Sequence, residues 1–230
     1  TSDGTAHWHE CTVSGCDIEN NEKDGYAEHA DDNLDFACDV CGACALSYNA
    51  YDDFSTDVFS YRTRNVANGE MGTMVTNADG SMYIGGDNCI TAAWISTGVD
   101  PAVCSVLTFT APYAGTITIN PNSIINHGQN WDGSNYAASF AQIYHNSFAN
   151  GIAAYSIPAN GTPVVTEALT NIEVAAGDQI MFMVGSNSTL NSYIEWMPTI
   201  VYTEVAHIHS WAEGWTSGGA YHWHECTASG

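Results

Sequence analysis

The chain has 230 residues, 45% of them apolar, enough for a substantial core and naturally read as two domains. Lys23, Arg62 and Arg64 are the only strong bases against 26 acidic residues, a formal net charge of −23. That balance excludes sequence-independent nucleic-acid binding, which needs cations to displace the counterions of phosphates. No apolar run of about 18 residues occurs and no charged-then-apolar leader opens the chain, so neither a membrane span nor a signal peptide is expected in this segment. The carboxylates must be solvated or neutralised by metal; a solvated acidic surface is one reading, and Ca2+ held by oxygens of Asp52, Asp53, Asp57, Asp87 or Asp132 in the β domain is the other.

Residues 1–50 form a Cys/His-rich segment with five of the eight cysteines, three of the nine histidines and an acidic middle. So little apolar periodicity cannot bury a core, and a module of this kind needs cross-links or a metal to offset its chain entropy. Cys11-x4-Cys16 and Cys38-x2-Cys41-Gly are paired-thiolate elements spaced like the two turns of a zinc ribbon, with Gly42 tightening the second. Tetrahedral zinc on Cys11, Cys16, Cys38 and Cys41, with a histidine in place of one thiolate as a variant, is one reading. Disulfides among the same residues are the other, because cysteines outside the cell usually pair. His7, His9 and His29 are secondary candidate ligands.

From residue 51 to 205 the pattern changes to short apolar or alternating runs separated by turn residues. Strands are predicted at Val58–Thr63, Ser81–Ile84, Ile90–Ile95, Ser105–Thr110, Gly115–Ile119, Ser139–Tyr144, Ile152–Ile157, Asn171–Val174, Gln179–Val184 and Tyr193–Tyr202. About ten strands with Pro and Gly turns and no helical period make the domain all-β, a two-sheet sandwich. Ala176-Gly-Asp-Gln and Ala111-Pro-Tyr-Ala-Gly-Thr are predicted to be tight hairpin turns. Cys89 and Cys104 are a candidate disulfide within this domain, with Cys44 left over. Trp131, in Gln-Asn-Trp-Asp-Gly, is a candidate sugar-stacking platform or a turn-packing residue. His127 and His145 are expected to be satisfied by neighbours rather than to be ligands. No paired-carboxylate or Ser-His-Asp arrangement stands out, so the expectation is a protein that is not an enzyme.

The run Leu107-Thr-Phe-Thr-Ala-Pro-Tyr-Ala-Gly-Thr-Ile-Thr-Ile, then Ile143-Tyr-His-Asn, Ile172-Glu-Val-Ala-Ala-Gly-Asp-Gln-Ile-Met-Phe-Met-Val and Asn191-Ser-Tyr-Ile-Glu-Trp-Met-Pro-Thr-Ile resembles the jelly-roll, carbohydrate-binding-module-like domains of bacterial secreted glycosidases and surface proteins. The resemblance implies a jelly-roll sandwich over residues 51–205 and, for the ligand, a glycan. It departs at Met197 and His145, positions where that family often has Asp and Lys, so no contact is carried over to either.

Residues 206–230 return to the Cys/His character and begin a second such module. Residues 1–15 and 216–230 agree at 11 of 15 positions without a gap, including His-Trp-His-Glu-Cys-Thr at 7–12 and 222–227. This duplication is the signature of a tandem array. A turn at Gly218-Gly219 would pair position i with 437 minus i and place His207, His209, His222, His224 and Cys226, further candidate metal ligands, on one sheet face. These Cys/His patterns resemble repeats in large surface proteins of anaerobic bacteria. The leading expectation is therefore an extracellular or cell-surface structural repeat. In it, jelly-roll beads flanked by small Cys/His-rich modules polymerise head to tail with copies of the same chain. The alternative is a carbohydrate-binding module repeated for avidity, with glycans as partners.

Overall fold

The computed structural model describes residues 46–54, 57–78, 80–128 and 137–203 in full, and residues 6–9, 24–28, 204–205, 211–218 and 221–226 as backbone strand only. The chain divides into two compact units, Tyr48–Val201 and a second made of Thr1–Ser47 with Tyr202–Gly230. Among the described residues every regular element is a strand. In chain order these are β1 (Ala6–His9), β2 (Asp24–Glu28), β3 (Ser47–Asn49), β4 (Phe59–Asn65), β5 (Met71–Thr73), β6 (Val75–Thr76) and β7 (Met82–Gly85). There follow β8 (Asn88–Thr91), β9 (Ile95–Ser96), β10 (Val103–Thr110), β11 (Gly115–Ile119), β12 (Ser123–Asn126), β13 (Ser139–His145) and β14 (Gly151–Ile157). The last are β15 (Val164–Val165), β16 (Leu169–Val174), β17 (Gln179–Ser186), β18 (Tyr193–Glu195), β19 (Thr199–Val205), β20 (Trp211–Gly218) and β21 (Tyr221–Cys226). Among the described residues no helix is long and apolar enough to cross a membrane.

The architecture is the expected all-β jelly-roll sandwich. A six-stranded sheet, β14-β13-β17-β10-β4-β5, faces a four-stranded sheet, β16-β11-β19-β3, and a seven-stranded one, β15-β12-β18-β9-β8-β7-β6. The core between them is aromatic. Phe182 meets Trp196 edge-on with centroids 5.5 Å apart, Phe109 meets Tyr48 at 5.3 Å, and Tyr61 stacks on Tyr83 at 3.9 Å. β10 and β17 lie in the middle of the six-stranded sheet and are buried on both faces, which is why their sequences are nearly continuous apolar runs rather than alternating ones.

Four expectations are corrected by the topology. The two predicted hairpin turns are corners between sheets. β10 and β17 belong to the six-stranded sheet, whereas β11 and β16, which each turn connects them to, belong to the four-stranded one. The corners hold each other: Ala111 N–H donates to Asp178 O at 2.8 Å and Gly177 N–H to Ala111 O at 2.7 Å. Gly177, at φ +89°, supplies the left-handed residue the second corner needs. The single strand predicted at Ile90–Ile95 is two, β8 and β9, because Thr91 Oγ1 accepts from Ala93 and Trp94 N–H and turns the chain between them. The run Tyr193–Tyr202 is likewise broken at Trp196–Pro198 into β18 and β19, since Pro198 has no N–H for a ladder.

The fourth correction is the Cys89–Cys104 disulfide, which does not form; both are free thiols. The residues that face each other between β8 and β10 are one position away: Asn88 Nδ2 donates to Ser105 Oγ at 3.0 Å. Period-two alternation then turns Cys89 and Cys104 away from that contact, Cys89 toward Ser96 and Cys104 into a cluster with Val106, Met181 and Met183.

In the other unit β1 pairs with β2 (His7 opposite Ala27) and β20 with β21. The two copies of His-Trp-His are thus both strands. The β20–β21 register is Gly218↔Tyr221 and Ser217↔His222, two residues on from the expected pairing, because Gly218 stays in the strand; only Trp211↔Cys226 matches it.

Candidate functional site

The outward face of the seven-stranded sheet carries an open concavity. Along β12, Ile124 and Asn126 are buried while Ser123 and Ile125 are only partly so; along β18, Ile194 is buried between the half-exposed Tyr193 and Glu195. This alternation sends Ser123 and Glu195 to the same outer surface. There they join Asn49 from the end of β3, Tyr51 and Asp52 from the turn after it, Ala93 from the β8–β9 turn, and Asn122 and Met197 beside strand ends, around an open groove of about 520 Å³.

Local hydrogen bonds hold these side chains in place. Asn49 Oδ1 accepts from Tyr51 N–H at 2.8 Å, its Nδ2 donates to Thr199 Oγ1 at 2.7 Å, and its own N–H donates to Asp53 Oδ2 at 2.7 Å. The resulting Asx turn leaves the Tyr51 ring 58% exposed at the groove's edge. Asn122 Nδ2 donates to Met197 O at 2.6 Å and its Oδ1 accepts from Ser123 N–H at 2.6 Å. Glu195 Oε2 lies 2.7 Å from His127 Nε2, which orients one carboxylate oxygen while the side chain stays 47% exposed. Trp94, next to Ala93, meets Tyr193 edge-on at 4.6 Å. The lining therefore combines an exposed aromatic ring with two carboxylates, two side-chain amides and a hydroxyl. Such a set hydrogen-bonds hydroxyl groups and stacks on an apolar ring face, and it offers no cation to an anion.

The opposite surface, the outer face of the six-stranded sheet, is different in chemistry. Arg62 and Arg64 project from β4 beside the buried cluster of Cys104, Val106, Met181 and Met183, over which Phe140, Tyr144 and Phe148 pack. Burial pushes the Cys104 thiol up to about 11 against the opposing pull of Arg64, so it is a protonated, inert thiol at neutral pH.

Of the residues singled out from sequence, His127 and His145 are satisfied as expected, by Glu195 and by Asp178 (3.1 Å) respectively. Cys11, Cys16, Cys38, Cys41, Cys44, His29, His207, His209, Trp131 and Asp132 lie outside the described residues, as do the side chains of His7, His9, His222, His224 and Cys226. Among the described residues no three His, Cys, Asp or Glu side chains converge as metal ligands. Asp52 lines the groove and Asp53 caps its turn. Tyr51, Asn49, Asn122, Ser123 and Glu195 were not legible as a set, because they come from three stretches far apart in the chain. The one local hint is Asn49-Ala-Tyr-Asp-Asp, an Asx-turn sequence with an aromatic residue inside it.

No protein-family model and no curated protein matches the chain. Among solved structures, a CBM51 carbohydrate-binding module from a Clostridium perfringens GH95 protein, in complex with methyl-galactose, is similar at 8% identity over 67% of this chain and 99% of that one, with a TM-score of 0.33. The K3 adhesin domain of Lys-gingipain from Porphyromonas gingivalis is similar at 13% identity over 68% and 97%, TM-score 0.37. The xylan-binding module CBM15 is similar at 12% identity over 70% and 99%, TM-score 0.36. None of these likenesses assigns a residue of the groove.

Proposed function

We propose that the β-sandwich is a glycan-binding module acting outside the cell, that its site is the Tyr51–Glu195 groove, and that it binds without catalysing. The observation that carries this reading is the groove's lining: an aromatic ring 58% exposed beside Asn49, Asp52, Asn122, Ser123 and Glu195, all on one open concavity. Neutral saccharides present this pairing of apolar ring faces and equatorial hydroxyls. An uncharged ligand also suits a chain of net charge −23, which disfavours the approach of anions to a carboxylate-lined groove. The duplicated His-Trp-His-Glu-Cys-Thr segment fits a module repeated along a longer polypeptide, where weak sites gain strength by acting together.

The test is a neutral-glycan array probed with the full chain, followed by titration of the best ligand. Tyr51→Ala is expected to weaken binding about tenfold with the melting temperature unchanged, the exposed ring contributing stacking but no core packing. An array without hits, or a Tyr51→Ala titration matching the parent, refutes the reading. The duplication by itself favours a second one, a structural repeat whose beads are joined by metal-bound or disulfide-linked Cys/His modules. Ordered filaments in the electron microscope together with a blank array would put that reading first.

A further inference from the structure

The chain has 26 acidic residues and three strong bases, yet among the described residues neither arginine makes an ion pair, the salt bridges there belonging to His127 and His145. Arg62 and Arg64 are neighbours on one strand. Tyr61 and Thr63, between and beside them, are buried toward the core, so both guanidinium groups leave β4 on the outward face, Arg62 exposed and Arg64 half-buried. In register they stand opposite Val106 and Cys104 of β10. The Arg64 guanidinium lies across the apolar cluster with its Cζ 4.0 Å from the Phe148 ring centroid, and its Nε is buried with no hydrogen-bond partner. Phe148 is held edge-on by Tyr144 at 5.0 Å, and the Tyr144 hydroxyl donates to Gln142 Oε1 at 2.6 Å, which leaves the Gln142 amide N–H groups beside the same surface.

A guanidinium that is partly desolvated on an aromatic face and lacks hydrogen bonds at a buried nitrogen is an unusual feature in a native structure, and it calls for a partner. Arginine's planar fork matches a carboxylate in bidentate fashion, and low local polarity strengthens the pair. In a chain so rich in carboxylates, keeping both arginines unpaired at one place preserves that capacity for something else. The partner is expected to bring one carboxylate together with groups that accept from an amide N–H. A uronic acid residue does so, with its ring hydroxyls near Gln142 and Tyr144. A second copy of the chain fits less well, since its charge of −23 meets far stronger repulsion than the few carboxylates of a short uronate oligomer.

We infer that the outer face of the six-stranded sheet at Arg62, Arg64 and Gln142 is a second binding site, for the carboxylate of a uronic acid residue in an acidic glycan. This rests on the glycan-binding reading but not on the groove.

The full chain is titrated by calorimetry with tri-galacturonic acid and with neutral galactotriose, in about 0.05 M and about 0.5 M salt, where screening differs strongly. The uronate trimer is expected to bind, and to bind more weakly at high salt. Arg64→Gln is expected to cost about tenfold or more, Arg64→Lys part of that because charge remains without the fork, and Arg62→Gln a measurable loss at an exposed residue that cannot disturb the core. Tyr51→Ala is expected to weaken neutral binding about tenfold and spare uronate binding, so a failed groove and a failed arginine site give different results. Equal uronate affinity in the parent and in both Arg→Gln variants overturns the assignment. So does self-association in sedimentation that disappears in Arg62→Gln with no uronate bound, which would make this face a contact between copies.

Discussion

At the scale of single residues, the sandwich is held by polar groups placed where two elements meet. Asn88 is 3% exposed and its amide donates to Thr97 O, Val103 O and Ser105 Oγ, tying three strands' ends together. Gly98 must be glycine for two reasons: its φ is +68°, and an added Cβ would sit 2.5 Å from Asn88 Oδ1. Asp178 does a similar service at the inter-sheet corner. The Ala175 N–H bonded to its carboxylate, assisted by the Asn146 and His145 side chains, holds its pKa below the ordinary 3.8. A carboxyl depressed in the folded state stabilises the fold above its unfolded value, and that contribution is lost as pH falls from about 3.8 through the lower folded value. Thermal unfolding followed across this acid range should show Asp178→Asn less stable than the parent near neutrality, with the gap closing as the pH drops. A gap that stays constant in acid would remove the corner from the account of acid stability.

At the scale of elements, the breaks matter as much as the strands. The interruption at Trp196-Met-Pro is what allows β18 to serve the seven-stranded sheet and β19 the four-stranded one. Trp196 fills the space at that break, 2% exposed and against Phe182 and Tyr155. Trp196→Ala is expected to cost about 3–5 kcal/mol, measurable by urea unfolding, because a large cavity opens where two sheets diverge. The same break places Glu195 outward and Met197 at the groove, so a variant that folds should also bind neutral glycans less well. Alternation was legible here, but the change of sheet was not: a local pattern tells which face a residue takes and says nothing of which strand lies beside it.

At the scale of the whole molecule, acidity and duplication set the terms. A charge of −23 keeps copies apart unless cations or specific contacts intervene. The terminal Cys/His segments would supply such links as a zinc site at Cys11, Cys16, Cys38 and Cys41 or as disulfides. Elemental analysis of purified protein with thiol titration distinguishes them: about one zinc per chain, released by chelator with appearance of reactive thiols, is expected for the ribbon. Absence of both zinc and free thiols in those segments would leave disulfides.

Sequence alone determined that the chain is all-β, through the two-residue alternation of runs such as Gly115–Ile119 and Ser139–Tyr144, because that period is a local property of the extended backbone. It determined the duplication and the scarcity of bases as well. Only the tertiary structure decided that the corners at Ala111 and Gly177 change sheets, that Asn88 rather than Cys89 meets β10, and that residues 49 to 197 close around one groove. It also decided that, among the described residues, neither arginine makes an ion pair and that Arg64 lies on the Phe148 ring. The reason is common to all of these: they depend on which strands become neighbours, and long-range pairing is settled by packing across the whole core rather than by any window of the chain.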